Sequence, residues 1–92
     1  MKIENPSKLI VLLGQLLAET EKMNIGKIYI AIMSELKRIA FVETNNPFTE
    51  KVYKNLIELS IKDYIHSGRS EKSSAVIKDV IDVLETAEVT IS

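Results

Sequence analysis

A chain of 92 residues allows one compact domain, and a composition of 46% hydrophobic and 27% charged residues is too apolar for a disordered protein. Twelve basic and thirteen acidic residues give a net charge of −1, which excludes a global basic field that would recruit nucleic acid or anionic membranes. The absence of cysteine excludes disulfides, thiolate nucleophiles and cysteine-based zinc sites. Apolar runs such as 9–13 are far shorter than the roughly 20 residues that span a bilayer, so we expect a soluble, cytoplasmic protein.

The first predicted helix runs from about Pro6 to Met23. Asn5 is its expected cap, and Pro6 suits the first helical position because proline has no N–H to leave unsatisfied. Leucines recur at helical spacing along one face up to the predicted break at 24–26.

The second predicted helix covers about Ile25 to Val42 and carries an apolar stripe that includes Ile32. The stretch 43–47 ends it, since a proline disfavours helical geometry in the preceding residue. The third helix is predicted to extend from Pro47 to about Ile65 and to end in a cap with Gly68 in the left-handed conformation.

The apolar arc of the third helix covers more than half of its circumference and includes Leu56, which predicts that this helix is the most buried of the four. Asp63 projects within that arc, where a carboxylate is costly to bury. Two interpretations are open: Asp63 is partly exposed or ion-paired, or this end of the bundle contacts a partner. Ser70 is the expected cap of the fourth helix, at about Glu71 to Ala87. The segment 89–91 favours extended structure, as a short strand or a frayed tail. The fold class expected is therefore all-α, with residues 1–92 forming a single four-helix bundle.

The residue inventory argues against catalysis. His66 is the only histidine and lies at a predicted helix end, where a cap is a far more common role than a metal ligand. Asp79, Asp82 and Glu85 could bind a hard cation, but an acidic solvated helix face is the commoner explanation of such spacing. We therefore expect that the protein is not an enzyme and that it binds no metal, cofactor or small-molecule substrate.

Charge is distributed unevenly along the chain. Residues 27–69 hold seven basic and five acidic residues, whereas 70–92 hold two basic and five acidic ones. The second and third helices carry the basic residues that are candidates for contact with a nucleic-acid backbone. These residues are Lys27, Lys37, Arg38, Lys51, Lys54 and Lys62.

Ile30 and Phe41 point in the same outward direction on the predicted second helix, where polar residues are expected. Three interpretations are open: an interface with a protein partner, cover by a tail or loop of the same chain, and an apolar contact beside a nucleic acid. The partner interface is the favoured one.

Several stretches resemble the small subunit of archaeal type I CRISPR surveillance complexes. They are 16–20 (LLAET), 28–32 (IYIAI) and the helix start at 46–49 (NPFT), which Lys51 and Lys54 follow. They fall within residues 16–54, a span of a little under half of the chain, and size, helical pattern and composition carry most of the resemblance. It implies a non-enzymatic subunit that packs against neighbouring subunits and contacts the nucleic-acid backbone within an assembly. The net acidity departs from a strongly basic DNA binder, so the isolated chain is expected to bind DNA weakly.

Bacteriocin immunity proteins are the alternative, because they too are cytoplasmic four-helix bundles of about this length. They tend to be basic, and this sequence contains no specific immunity motif. A generic helical protein-binding module is the broadest reading. Neighbouring genes for nucleases and guide-RNA machinery would favour the first family, and a gene for a small secreted peptide the second.

Overall fold

Four helices account for most of the protein in a computed structural model that describes residues 2–42 and 47–89. The helices are α1 (Ser7–Ala18), α2 (Lys22–Arg38), α3 (Pro47–His66) and α4 (Glu71–Ala87), and the strands are β1 (Lys2–Glu4), β2 (Ala40–Val42) and β3 (Glu88–Val89). The predicted helical character is thus confirmed, but the all-α class is too narrow, because the three strands form a sheet.

The sheet joins the start, the middle and the end of the described chain. Its order is β2-β1-β3, with β1 antiparallel to β2 and parallel to β3. Ile3 in the central strand pairs with Phe41 on one side and Glu88 on the other, and its side chain is fully buried. The sheet therefore holds the beginning of α3 and the end of α4 at the same end of the molecule.

The core lies where the sheet, α1 and the inner faces of the other helices meet. Its fully buried members include Leu13, Leu16, Ile32, Ile61 and Ile77. No cysteine is present to crosslink the chain, so apolar burial is the main stabilising contribution at this size.

Two helix boundaries differ from those predicted. The break between α1 and α2 lies at 19–21 rather than 24–26, since Met23 is inside α2. Glu19 stabilises this turn by accepting hydrogen bonds from the backbone N–H groups of Thr20 and Glu21, and these bonds lower the pKa of its carboxyl. At the other end, α2 stops at Arg38, and the predicted last turn is β2 instead.

The predicted helix ends are partly confirmed. Ser70 caps α4, because its side chain accepts a hydrogen bond from the N–H of Ser73 at 3.2 Å. Gly68 has a φ of +74°, as expected for the residue that ends α3. Asn5 is not the cap of α1, since Pro6 occupies that position and makes no side-chain capping bond.

The prediction that α3 is the most buried helix is wrong. Leu56 is 53% exposed, whereas Ile57, next to it, is buried in the core. Asp63 is exposed, which is compatible with both interpretations, and it makes no ion pair within the described residues. The predicted tail is a strand at Glu88–Val89, and its continuation at 90–91, like the predicted turn at 43–46, lies outside the described residues.

Candidate functional site

An apolar surface covers the outer side of α3 and α4. We call it the α3–α4 face and define it by seven hydrophobic residues, all more than a third exposed: Phe48, Val52, Tyr53, Leu56, Leu59, Val76 and Val83. Four of these residues follow one another at spacings of four, four and three residues along α3, so they form one stripe. Soluble monomers rarely leave such a contiguous apolar surface in water, which makes it an interface candidate.

A shallow groove of about 210 Å³ runs along this face between the two helices. Leu56 and Val83 stand on its two sides, and Phe41 and Leu84 contribute to its floor. Asp79 is the one charged residue among the described residues that line it. The groove is therefore suited to apolar side chains of another helix rather than to a polar ligand.

The two flanks of the α3–α4 face carry opposite charges. At 100° per residue, Lys51 and Lys62 lie beside the stripe on the α3 side that is away from α4. By the same geometry, Asp82 lies on the outer side of α4 beyond Val83, with Lys78 one turn before it, whereas Asp79 lies in the groove. The Glu58 carboxylate, 3.2 Å from the Lys62 ammonium, raises the pKa of that lysine.

Three of the six predicted nucleic-acid contacts meet in a second groove, between α2 and α3. Lys37, Lys51 and Lys54 line this space of about 590 Å³ together with Glu50 and Glu58. Lys54 is engaged within the chain, because its ammonium donates to the carbonyl oxygen of Ile39 at 2.7 Å and lies 3.0 Å from the Glu50 carboxylate. We call this space the basic groove, in which Lys37 and Lys51 make no ion pair within the described residues.

Arg38 has a structural role at the end of α2. Its Nε donates to the carboxylate of Glu35 at 2.7 Å, and its Nη2 donates to the carbonyl oxygen of Asn5 at 2.9 Å. Glu35 has only 9% of its side chain exposed, and its other ionic neighbour is Lys8 at 3.6 Å. Arg38 thus neutralises a buried carboxylate and ties α2 to the segment before α1, rather than extending freely as a phosphate ligand.

We expect Arg38→Met to lower the free energy of unfolding by about 1–3 kcal/mol, because it leaves a buried carboxylate short of its main partner. The expected loss is smaller than for a fully buried ion pair, because about half of the Arg38 side chain is exposed to solvent. Urea unfolding monitored by circular dichroism measures the change. Lys37→Met removes the same charge from the neighbouring exposed position and should cost less than about 0.5 kcal/mol; equal losses for the two variants would contradict this role.

The remaining predicted residues do not converge. Lys27 is exposed on α2 but does not line the basic groove, and Lys62 borders a different crevice, next to Tyr29. Ile30 is 69% exposed, as predicted. Phe41 is only 8% exposed, so its assignment to a partner interface is wrong: it lies in β2, not on a helix, and its ring packs 5.8 Å from that of Tyr53.

The described residues contain no group of three or more histidine, cysteine, aspartate or glutamate side chains arranged to hold a metal ion. His66 ends α3 and is exposed. Within the same residues, none of the helices has the length and apolar character needed to cross a membrane. Comparisons with protein-family models, curated proteins and solved structures found no match to this chain.

The sequence identifies the apolar positions of α3 but not which of them the fold leaves exposed. The spacing of Phe48, Val52, Leu56 and Leu59 is that of a helix-packing seam, which is the signal that could have identified an interface. A second apolar stripe, which contains Ile57 and Ile61, occupies the inner side of α3 and already serves the core. The outer stripe is therefore the exposed one of the two apolar stripes of α3, which makes it an interface candidate.

Proposed function

We propose that this protein is a non-catalytic subunit of a larger assembly, and that its α3–α4 face packs against the same face of a second copy. One observation carries the proposal. Of the ten large hydrophobic side chains that are exposed among the described residues, seven lie on this face. Covering them removes apolar area from water, which is the main driving force of stable subunit association.

The dimensions suit a stable interface. A 20-residue helix is about 30 Å long, and α4 with 17 residues is only slightly shorter. Two adjacent helices are about 20 Å wide, so the face measures roughly 600 Å² in projection, comparable with the roughly 800 Å² per partner of a standard interface.

Charge supports a second copy as the occupant and favours one orientation. In a two-fold arrangement that lays α3 of one copy over α4 of the other, the basic flank with Lys51 faces the acidic flank with Asp82. Both residues lie towards the sheet end of their helices, so in this arrangement they are at the same height along the paired helices. Laying α3 over α3 would bring lysines together, which costs free energy.

Sedimentation velocity or light scattering of the purified chain tests the assembly. We expect a dimer for the wild type and a monomer for Leu56→Glu/Leu59→Glu, because charged groups at the centre of an apolar interface are desolvated without a partner. Ile30→Glu is the matched control, since Ile30 is 69% exposed but lies on α2 outside the face. It should remain dimeric, and all three proteins should keep the same helical circular dichroism.

A charge exchange tests the orientation. Lys51→Glu should weaken the dimer, and Lys51→Glu combined with Asp82→Lys should restore it. A wild-type chain that stays monomeric at about 100 µM would overturn the second copy as partner, since stable interfaces reach far tighter dissociation constants. A dimer that survives Leu56→Glu/Leu59→Glu would overturn the choice of surface.

A second candidate function is contact with a nucleic-acid backbone inside such an assembly, as the resemblance to CRISPR small subunits implies. The supporting observation is that Lys37, Lys51 and Lys54 line one open groove. Glu50 and Glu58 lie among them, and the net charge is −1, so the isolated chain should bind DNA weakly at physiological salt. An immunity protein, the alternative family, would instead bind a peptide toxin and show no dependence on these lysines.

Lys37→Glu tests the nucleic-acid contact, since Lys37 faces the basic groove and lies outside the α3–α4 face. In the assembled complex it should lower DNA affinity and reduce the slope of log K against log salt concentration by about one, because one phosphate contact is lost. Lys27→Glu has the same charge change outside the groove and should leave both quantities unchanged. Equal effects of the two variants would mean that the lysines act only through the overall charge, and they would contradict a contact in the basic groove.

A further inference from the structure

We propose that the crevice between the first half of α2 and the last turns of α3 binds a small amphipathic organic anion. This crevice measures about 650 Å³ and is separate from the α3–α4 face and from the basic groove. Its volume falls within the range of sites that hold small molecules. The inference is independent of the proposed assembly and goes beyond the expectation of a chain without a small-molecule ligand.

The apolar part of the crevice is built from Ile25, Tyr29 and Ile65. All three are half-buried and pack against the hydrophobic core, so their outer surfaces are held in place. An aromatic ring and two isoleucine side chains in the lining offer apolar surface to the body of a ligand.

The polar part of the crevice is cationic. Lys22, Lys62 and Arg69 line it together with His66, and no acidic residue is among its described lining residues. Outside the lining, Glu58 pairs with Lys62 at 3.2 Å, and Glu19 lies close enough to Arg69 for the guanidinium to help lower the pKa of its carboxyl. Glu19 and Glu58 neutralise two of the three permanent cations, so a net positive charge remains in the crevice. A phosphate or carboxylate group of a ligand would pair with it.

Arg69 is held in an unfavourable conformation beside this site. Its φ is +61°, a left-handed value that is uncommon for a residue other than glycine. Its Nη1 is enclosed and has no hydrogen-bond partner within the described part of the chain. Because Nη1 itself is out of reach of solvent, an anion in the crevice meets Arg69 through the accessible part of its half-buried side chain.

Gly26 adds a second, independent observation. It lies inside α2, where glycine is less favourable than alanine, and it lines the crevice. A Cβ at this position would meet no other atom within 4 Å, so packing within the chain does not require glycine. The chain's own contacts thus give no reason for a glycine at this position. A ligand that approaches the α2 backbone closely would give one, because glycine has no side chain in the way.

The amides of the three glycines report binding in a 15N NMR titration of the full chain. Gly26 and Gly68 line the crevice, whereas Gly14 lies on α1 and serves as the internal control. The probes are adenosine monophosphate, octanoate and inorganic phosphate. We expect one of the two organic anions to shift Gly26 and Gly68 saturably while Gly14 stays in place, and phosphate alone to bind more weakly because it lacks an apolar body. The stronger organic anion identifies the source as nucleotide-like or acyl-like.

Two variants complete the test. Arg69→Gln should weaken binding by about tenfold or more, and Lys78→Gln, on the exposed side of α4, should leave it unchanged. Gly26→Ala should raise the unfolding temperature, since alanine favours the helix, and at the same time weaken binding. The proposal is overturned if neither organic anion gives a saturable shift up to about 10 mM, far weaker than the affinities of dedicated sites. Equal shifts at Gly14, or unchanged affinity in Gly26→Ala, would overturn it as well.

Discussion

Phe41→Ala should lower the free energy of unfolding by about 3–5 kcal/mol, the range for removing a buried aromatic side chain. Phe41 is 8% exposed, lies opposite Ile3 in the sheet and packs against the ring of Tyr53. The substitution would empty the space between the sheet and α3. If Phe41 lay on the outside of a helix, its truncation would weaken association and leave the monomer stable. Because Phe41 is buried, we expect the opposite result, a less stable monomer.

Ile30→Ala is the matched control for this prediction. The two residues were expected to form one surface, but Ile30 is 69% exposed and should contribute less than about 0.5 kcal/mol to folding. Urea unfolding followed by circular dichroism measures both variants. Similar losses for the two residues, or a loss below about 1 kcal/mol for Phe41→Ala, would contradict the burial of Phe41 in the sheet.

The elements that the sequence predicts well are those with local signals. Helix α4 begins at Glu71 and ends at Ala87, as predicted, because Ser70 marks its start and an amphipathic pattern covers its length. The left-handed Gly68 ends α3 for a similarly local reason. Helix propensity and capping depend on neighbouring residues, so they can be inferred from a short window of sequence.

The sheet could not be predicted in this way, because its pairing is not local. Residues 39–42 are all apolar, and such a short run is compatible with a helix end or a strand. The choice depends on β1, whose Glu4 pairs with Ala40 across 36 positions of sequence. The segment 2–4 carries no alternation long enough to indicate a strand, and pairing with β2 and β3 is what makes it one.

The burial of α3 was mispredicted for a different reason. Periodicity identifies which residues are apolar, but it does not identify what covers them. Ile57 and Ile61 face the core, whereas Leu56 and Leu59 face outward, although all four belong to one wide apolar arc. The candidate site was affected in the same way. Lys37, Lys51 and Lys54 do share a groove, but Arg38 and Lys54 also bind groups of the chain itself, which composition and spacing cannot indicate.

The second large effect is the loss of stability on truncating a residue of the buried faces, compared with a residue of the exposed α3–α4 face. Ile32→Ala should cost about 2–5 kcal/mol of unfolding free energy, because Ile32 is completely buried in the core and its truncation leaves a cavity. Leu56→Ala removes a side chain of the same size from a position that is 53% exposed. In the monomer it should therefore cost less than about 1 kcal/mol, whereas an entirely buried apolar arc predicts equal losses.

Both substitutions are best measured in the Leu59→Glu background, in which we expect the proposed dimer to dissociate, so that stability does not depend on protein concentration. In the wild-type background, Leu56→Ala should instead show its effect on the dimer, as a rise in dissociation constant with little change in monomer unfolding. A loss of about 2 kcal/mol or more for Leu56→Ala in the monomeric background would mean that this side chain belongs to the core. That result would remove the main support for an interface on α3 and α4, since Leu56 stands at the centre of its apolar stripe.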